Sequence, residues 1–276
     1  TATVDAIPLI ASSIMSKKLA AGADGIVLDV KTGNGAFMEK PGDAIELART
    51  MVGIGSDAGR QVVALVTGMD QPLGRAVGNA LEVAEAVATL KGEGPADLTE
   101  LVLEMGSEML IMAARAATPK EARQRLETAI SDGSGLDKLK TYAAAMGAET
   151  DCLDNPQHLP AANRHHPVLA GRAGYVTAID AQSLGMASKE IGAGRHVKGD
   201  SIDPTAGVLL NRKLGDRVAA GDLLATVCGN GAASSLSAAA ARIQSAYTIG
   251  DDLVPVPPLL RARVTRDGVE VFQDAK

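Results

Sequence analysis

Ser13 and Lys17 are the residues whose types and spacing most directly suggest chemistry. At about 100° per residue, they share one sector of a helix with Ile10 and Ile14, and we predict that this sector is buried. Side chains four residues apart on a helix can meet at one ligand, and a hydroxyl beside an ammonium suits a polar ligand. A lysine among isoleucines must either extend its ammonium to solvent or face a polar pocket.

A glycine-rich segment, KTGNGAF (31–37), offers a second candidate. Its glycines allow two interpretations: a tight structural turn, or a loop whose backbone N–H groups approach a ligand. The segment lacks the third glycine of a dinucleotide-binding fingerprint and the Gly-Lys-Ser/Thr ending of a P-loop. On its own the pattern favours the structural turn.

Glu82 and Glu85 form an acidic pair on a predicted helix that follows the segment PLGRAVGN. Acidic pairs of this kind are usually solvated, but loop carbonyls together with one carboxylate could also bind a cation. The four histidines fit no common zinc spacing and are predicted to lie on the surface or in loops. No Gly-x-Ser-x-Gly motif and no credible Ser-His-Asp or Cys-His arrangement is found.

The elements that position these residues predict an α/β fold. GIVLDV (25–30) and QVVALVT (61–67) are short apolar runs typical of buried parallel strands, and a helix predicted near 42–57 joins them into a βαβ unit. Further helices are expected, including one from Val77 to Lys91. A polar segment from about 149 to 167 is predicted to be a boundary loop.

The second half of the chain has a different character and predicts a separate α+β domain. Short β runs are separated by Gly-Asp turns, an alanine-rich helix follows, and a final hairpin turns at Asp267-Gly268. We therefore predict three parts: a helical segment (1–22), an α/β sheet domain with flanking helices (23–160) and an α+β domain (161–276).

Composition excludes several classes of function. The 276 residues carry a net charge of −6 and only 2% aromatic residues, which argues against a nucleic-acid partner. No apolar run reaches membrane-spanning length, so no membrane partner is expected. The two cysteines form no metal-spaced pair and fit a reducing cytoplasm, where we expect the protein to act.

Three longer segments carry a resemblance to a known family. SSIMSKKLAAGADGIVLDVKTGNGAFM, LVTGMDQPLGRAVGNALEVAEAV and LKGEGPADLTELVLEMGSEML resemble the thymidine and pyrimidine-nucleoside phosphorylases. The resemblance extends through most of the chain, including its C-terminal part. It implies a homodimeric pentosyltransferase with a small all-α domain and a large α/β domain that enclose the active site.

The resemblance implies reversible phosphorolysis of pyrimidine nucleosides, with thymidine as the expected substrate. Phosphate is then the co-substrate, and the products are the free base and (deoxy)ribose 1-phosphate. The base-binding Ser-x-x-x-Lys of the family falls on Ser13 and Lys17, with Lys17 as the catalytic donor to a ring carbonyl. Phe37 is expected near the base.

The resemblance also implies that no cofactor is required, although some members bind a structural monovalent or divalent cation. The corresponding positions are Leu73, Ala76 and Glu85. The base-contacting arginine and the Lys-x-Ser/Thr-Gly-Gly phosphate loop of the family do not occur in this sequence. We therefore expect a C-terminal two-thirds of a longer polypeptide that is inactive by itself.

Two other functions are compatible with the sequence. One is a related pentosyltransferase on the same fold, such as an anthranilate phosphoribosyltransferase or a nucleotide phosphorylase. The other is a non-catalytic binding or dimerising fragment, an alternative supported by the absence of the phosphate loop.

Overall fold

A computed structural model describes residues 6–272 of the chain. The helices in chain order are α1 (Ile7–Ala20), α2 (Pro41–Asp57), α3 (Asn79–Leu90), α4 (Ala96–Met112), α5 (Pro119–Ser131), α6 (Ser134–Ala145), α7 (Asp151–Asp154), α8 (Ala181–Ser188) and α9 (Ala233–Ala246). The strands are β1 (Gly25–Thr32), β2 (Gln61–Gly68), β3 (Ala76–Val77), β4 (Arg164–Leu169), β5 (Gly174–Ile179), β6 (Gly207–Leu210), β7 (Arg217–Val218), β8 (Leu223–Gly229), β9 (Tyr247–Gly250), β10 (Leu260–Thr265) and β11 (Gly268–Val271). This mixture of helices and sheets confirms the α/β fold class.

The chain forms two compact units, each of which is discontinuous in sequence. The first unit comprises residues up to 69, residues 100–128 and residues from 257 onward. The second unit comprises residues 70–99 and 129–256. The predicted division at 22/23 and 160/161 stays a prediction.

The sheet of the first unit has the strand order β1-β2-β10-β11. Strands β1 and β2 pair in parallel from Gly25 opposite Gln61 to Thr32 opposite Gly68, so the predicted βαβ unit is confirmed. The hairpin β10–β11 is confirmed as well, but its turn is Arg266-Asp267 instead of Asp267-Gly268, because Gly268 already pairs with Thr265. Strand β10 pairs antiparallel with β2. The sequence did not predict that this last hairpin extends the first sheet.

Helix α1 packs through a different face from the one predicted. Ala11 and Met15 are fully buried in the core of the first unit, whereas Ser13 and Lys17 are exposed. The prediction that Ser13 and Lys17 lie on the buried sector is therefore wrong. Ser12, Ser13, Ser16 and Lys17 lie within about 140° of the helix circumference, and Ile10 and Ile14, from which the buried sector was predicted, only border this polar face. The face of α1 that carries Met15 packs against helix α2, where Gly55 leaves room for the end of the Met15 side chain.

The second unit contains two antiparallel sheets, ordered β3-β6-β8-β4 and β7-β5-β9, around a core to which α8 and α9 contribute. Two element predictions are corrected here. The helix predicted from Val77 begins at Asn79, because Val77 pairs with Val208 in the β3–β6 ladder. The predicted boundary loop contains α7, a 3₁₀ turn (Pro156–His158) and the start of β4.

No helix among residues 6–272 is long and apolar enough to cross a membrane.

Candidate functional site

Ser13 and Lys17 lie on the outer face of α1, one helical turn apart. Within residues 6–272, no hydrogen bond or ion pair is formed by the Lys17 ammonium. Lys17 and Lys18 occupy the last turn of the helix, where the dipole favours positive charge. Because the buried Met15 anchors the helix from its other side, the hydroxyl and the ammonium are presented on a fixed backbone.

The segment 33–37 forms a tight structural turn, the interpretation that its pattern favoured. The Gly33 N–H donates to Met38 O at 3.3 Å, the Gly35 N–H to Met69 O at 3.0 Å, and the Ala36 N–H to Gly33 O at 3.0 Å. These three N–H groups therefore already donate hydrogen bonds within the protein. Phe37, at the end of the turn, leaves 82% of its surface exposed and is available for contact with a ligand.

A polar network that the sequence analysis missed lies near the carboxyl ends of β1 and β2. The Lys31 ammonium is 2.7 Å from Asp29 Oδ2 and donates to Thr67 Oγ1 at 2.9 Å. Thr67 is fully buried and donates to Asp29 Oδ1 at 2.5 Å. The sequence did contain one signal of this network. Asp29 and Lys31 are two residues apart in an otherwise apolar strand, and this spacing places both side chains on one face of the sheet. Ligands of open α/β sheets bind beyond these strand ends.

Two cavities among the described residues do not coincide with these candidate residues. In the first unit a cavity of about 570 Å³ is lined by Lys18, Ala21 and Met112, among others. In the second unit a cavity of about 760 Å³ lies beside the start of α3. Neither is lined by Lys17 or Phe37. The chemical case for Lys17 therefore rests on the family resemblance and on its exposed ammonium, which has no partner within residues 6–272.

Glu85 lies on α3 and reaches the turn before β3. Its Oε1 accepts the N–H groups of Arg75 at 2.8 Å and Ala76 at 3.1 Å. Burial raises the pKa of Glu85, and these two N–H groups oppose that rise. No donor among the described residues is recorded at Oε2, which lies beside Gly74. Gly74 has a positive φ of 67°, and a Cβ there would lie 2.2 Å from that oxygen.

Of the three predicted cation ligands, Ala76 and Glu85 present oxygen atoms at this turn. Leu210 donates its N–H to Arg75 O, so Ala76 occupies a non-hydrogen-bonded position of the β3–β6 ladder. The Ala76 carbonyl therefore faces away from β6, on the same edge as its N–H, which points to Glu85. An oxygen ligand set of carbonyls and one carboxylate suits K⁺, Na⁺ or Ca²⁺. No cluster of three or more His, Cys, Asp or Glu side chains capable of metal binding exists within 6–272.

Lys213 holds the same turn and was not identified from the sequence. Its ammonium donates to Pro72 O, to Gly74 O at 2.6 Å and to Asp97 Oδ2 at 2.9 Å. The Gly74 N–H also donates to Asp97 Oδ2, at 3.2 Å. Burial lowers the pKa of Lys213, and the bond to Asp97 opposes that effect. Since Lys213 lies more than 100 residues away in sequence, no local pattern could have revealed it.

Comparison with known families gives two matches. Residues 1–136 match the "Glycosyl transferase family, a/b domain". Residues 175–250 match the "Pyrimidine nucleoside phosphorylase C-terminal domain".

Curated relatives match nearly the whole chain. A pyrimidine-nucleoside phosphorylase of Staphylococcus aureus strain USA300 is 48% identical over 265 residues, which is 96% of this chain and 60% of the relative. The protein of the same name from strain MSSA476 is 49% identical over 254 residues, or 92% of this chain and 58% of the relative. The chain thus spans about three-fifths of the length of these relatives.

Proposed function

Because the chain belongs to the pyrimidine-nucleoside phosphorylase family, we propose that it provides the base-binding part of an enzyme that phosphorolyses pyrimidine nucleosides. The observation that carries the proposal is 48% identity over 265 residues to a protein of that name. The reaction transfers the pentosyl group from the base to phosphate. We propose thymidine as a substrate, and a homodimer acting in the cytoplasm as the working form.

Lys17 is proposed as the catalytic residue. Cleavage of the glycosidic bond places negative charge on the departing pyrimidine, and an ammonium near a ring carbonyl stabilises that charge as it develops. Its exposed position and the lack of a hydrogen-bond or ion-pair partner within residues 6–272 support this role. Ser13, one turn earlier, would orient the ring edge, and the exposed Phe37 ring would contact the base.

These 276 residues alone are proposed to be inactive. They contain no glycine-rich phosphate loop of the kind that the resemblance implies. The test compares the isolated chain with a chimera that carries, upstream, the N-terminal part of the Staphylococcus aureus relative. Phosphate-dependent thymine release is expected from the chimera and not from the isolated chain. Turnover by the purified isolated chain would refute its inactivity, and an inactive but folded chimera would refute the phosphorolysis.

Leu73, Ala76 and Glu85 are proposed to hold a structural cation. No donor within residues 6–272 bonds to Oε2 of the Glu85 carboxylate, and a bound cation would compensate for the burial of this group. K⁺ is therefore expected to raise the midpoint of thermal unfolding above its value in tetramethylammonium at equal ionic strength. Glu85→Gln should abolish this difference.

Glu82→Gln is the matched control for the cation site. Glu82 lies three residues earlier on α3, and its Oε1 caps the Gly78 N–H at 2.9 Å. This variant should keep the full response to K⁺. An equal loss of the response in both variants, or a full response in Glu85→Gln, would refute the proposed ligand.

A further inference from the structure

The Lys213 ammonium of the second unit has an acceptor for each of its three N–H donors. Its three N–H donors meet three acceptors: Pro72 O, Gly74 O and Asp97 Oδ2. Only 13% of its side chain is exposed, against 29% for Asp97. A lysine in such a position is held by these contacts, because an unpaired buried ammonium would be strongly unfavourable.

The acceptors around Lys213 have the composition of a cation site. Two backbone carbonyls and one carboxylate are oxygen ligands of the kind that K⁺ and Na⁺ use in proteins. They belong to a turn and to the first residues of α4, which the ammonium ties together. They also differ from the set proposed above, since Leu73, Ala76 and Glu85 do not bond to Lys213.

We propose that Pro72 O, Gly74 O and the Asp97 carboxylate form a second, monovalent-cation site whose resident ion is the ammonium of Lys213. The lysine acts as a positioning residue: it fixes the carbonyls that flank Leu73 and thereby the turn that carries the other cation ligands. All of these contacts lie within one unit and do not depend on the proposed reaction.

Replacement of the ammonium by a free ion tests this assignment. Lys213→Met keeps most of the volume of the side chain but leaves the Asp97 charge without its partner. Its unfolding midpoint in tetramethylammonium chloride should fall by roughly 6–12 °C, the shift expected when one member of a buried ion pair is removed. Ammonium or potassium chloride at equal ionic strength should restore about half of the loss, because a bound ion stabilises the folded state.

The experiment is done in the Glu85→Gln background, which removes the cation site proposed above. A cation-selective response that appears only when Lys213 is also replaced supports the second site. Lys91→Met is the matched control, since the Lys91 ammonium donates to Asp154 O at 3.2 Å on an exposed part of the same unit. It should shift the midpoint by less than about 2 °C and show no selectivity.

A double variant keeps the test decisive if Lys213→Met fails to fold. Lys213→Met with Asp97→Asn removes both charges, so it should fold, be more stable than the single variant and show no cation selectivity. A response of Lys213→Met that is the same in all salts would overturn the proposal. The proposal would also be overturned if the double variant lost as much stability as the two single variants lose in total.

Discussion

At the scale of single residues, two lysines show how the surroundings decide the role of one functional group. Lys213 is largely buried, and every donor of its ammonium is taken by a protein acceptor. Lys17 is exposed and has no recorded partner among the described residues. A ligand can therefore bind the Lys17 ammonium without first displacing a protein contact, which is the property that a base-binding residue requires.

The glycine at position 74 gives a residue-scale prediction about the acidic turn. A side chain there would adopt a positive φ, at a cost of about 1–2 kcal/mol, and would force the Glu85 carboxylate away from its two backbone donors. We expect Gly74→Ala to lower the free energy of unfolding by at least about 1 kcal/mol more than Gly92→Ala. Denaturant unfolding measures both values.

Gly92 is a suitable control because its φ is 79° and its Cβ would make only an ordinary contact, 3.7 Å from the Ile130 side chain. Gly74→Ala should also lose the K⁺ response. Equal destabilisation by both variants would show that the approach of Gly74 to Glu85 has no energetic consequence.

At the scale of elements, the inner face of α1 can be tested by substitution. Met15 is fully buried against α2, so Met15→Ala should lower the free energy of unfolding by about 2–5 kcal/mol. Lys17→Ala, on the exposed face, should change it by less than about 0.5 kcal/mol. Urea unfolding of the two variants compares the faces directly. If Lys17→Ala lowered the free energy of unfolding more than Met15→Ala, the buried face predicted from the sequence would be correct after all.

The start of helix α8 provides a pH-dependent prediction. Asp180 is its N-cap and accepts the Ser183 N–H at 2.9 Å and the Ser183 hydroxyl at 2.6 Å. These bonds lower the pKa of Asp180 below its ordinary value of 3.8. The ionised group therefore stabilises the folded state above pH 3.8, and this contribution is lost as the pH falls through the lower folded-state pKa.

Asp180→Asn should keep the cap acceptor but lose that pH dependence. The difference in unfolding free energy between wild type and Asp180→Asn should therefore shrink as the pH is lowered from neutral to below the folded-state pKa. Asp180→Ala removes the cap as well and should cost about 1 kcal/mol at neutral pH. A difference between wild type and Asp180→Asn that does not vary with pH would contradict the assignment.

The elements also show what a sequence can predict. Strands β1 and β2 and the helix between them were predictable because unbroken apolar runs and their spacing specify a parallel pair. The start of α5 was predictable from Thr118, whose hydroxyl accepts the Glu121 N–H at 3.2 Å. The short strand β3 and the pairing of β10 with β2 depend on partners distant in sequence, which no local pattern records.

The residues of the candidate site likewise include some that the sequence could identify and some that it could not. Ser13, Lys17 and Glu85 were identified from spacing and from the family resemblance. The N–H groups that bond to Glu85 belong to Arg75 and Ala76, ten and nine residues earlier, whereas Lys213, whose charge also lowers the pKa of Glu85, lies about 130 residues later and is brought near only by folding. The network of Asp29, Lys31 and Thr67 was missed because it joins two strands.

At the scale of the whole molecule, the chain contains the proposed base-binding residues and the proposed cation-binding turn, in separate compact units. It spans about three-fifths of its relatives and lacks the phosphate-loop motif of the family. Phosphorolysis requires both the base and the phosphate to be held. We therefore expect activity only when these residues are joined to a phosphate-binding segment, as in the chimera described above.

The most direct test of the central claim is the kcat of that chimera with thymidine and phosphate when Lys17 is replaced. Lys17→Met should lower kcat by roughly 10²–10³-fold, as expected for the loss of one donor that acts in the transition state. Lys18→Met, at the adjacent exposed lysine, should leave kcat unchanged. A Lys17→Met chimera that retains the parental kcat would contradict the account.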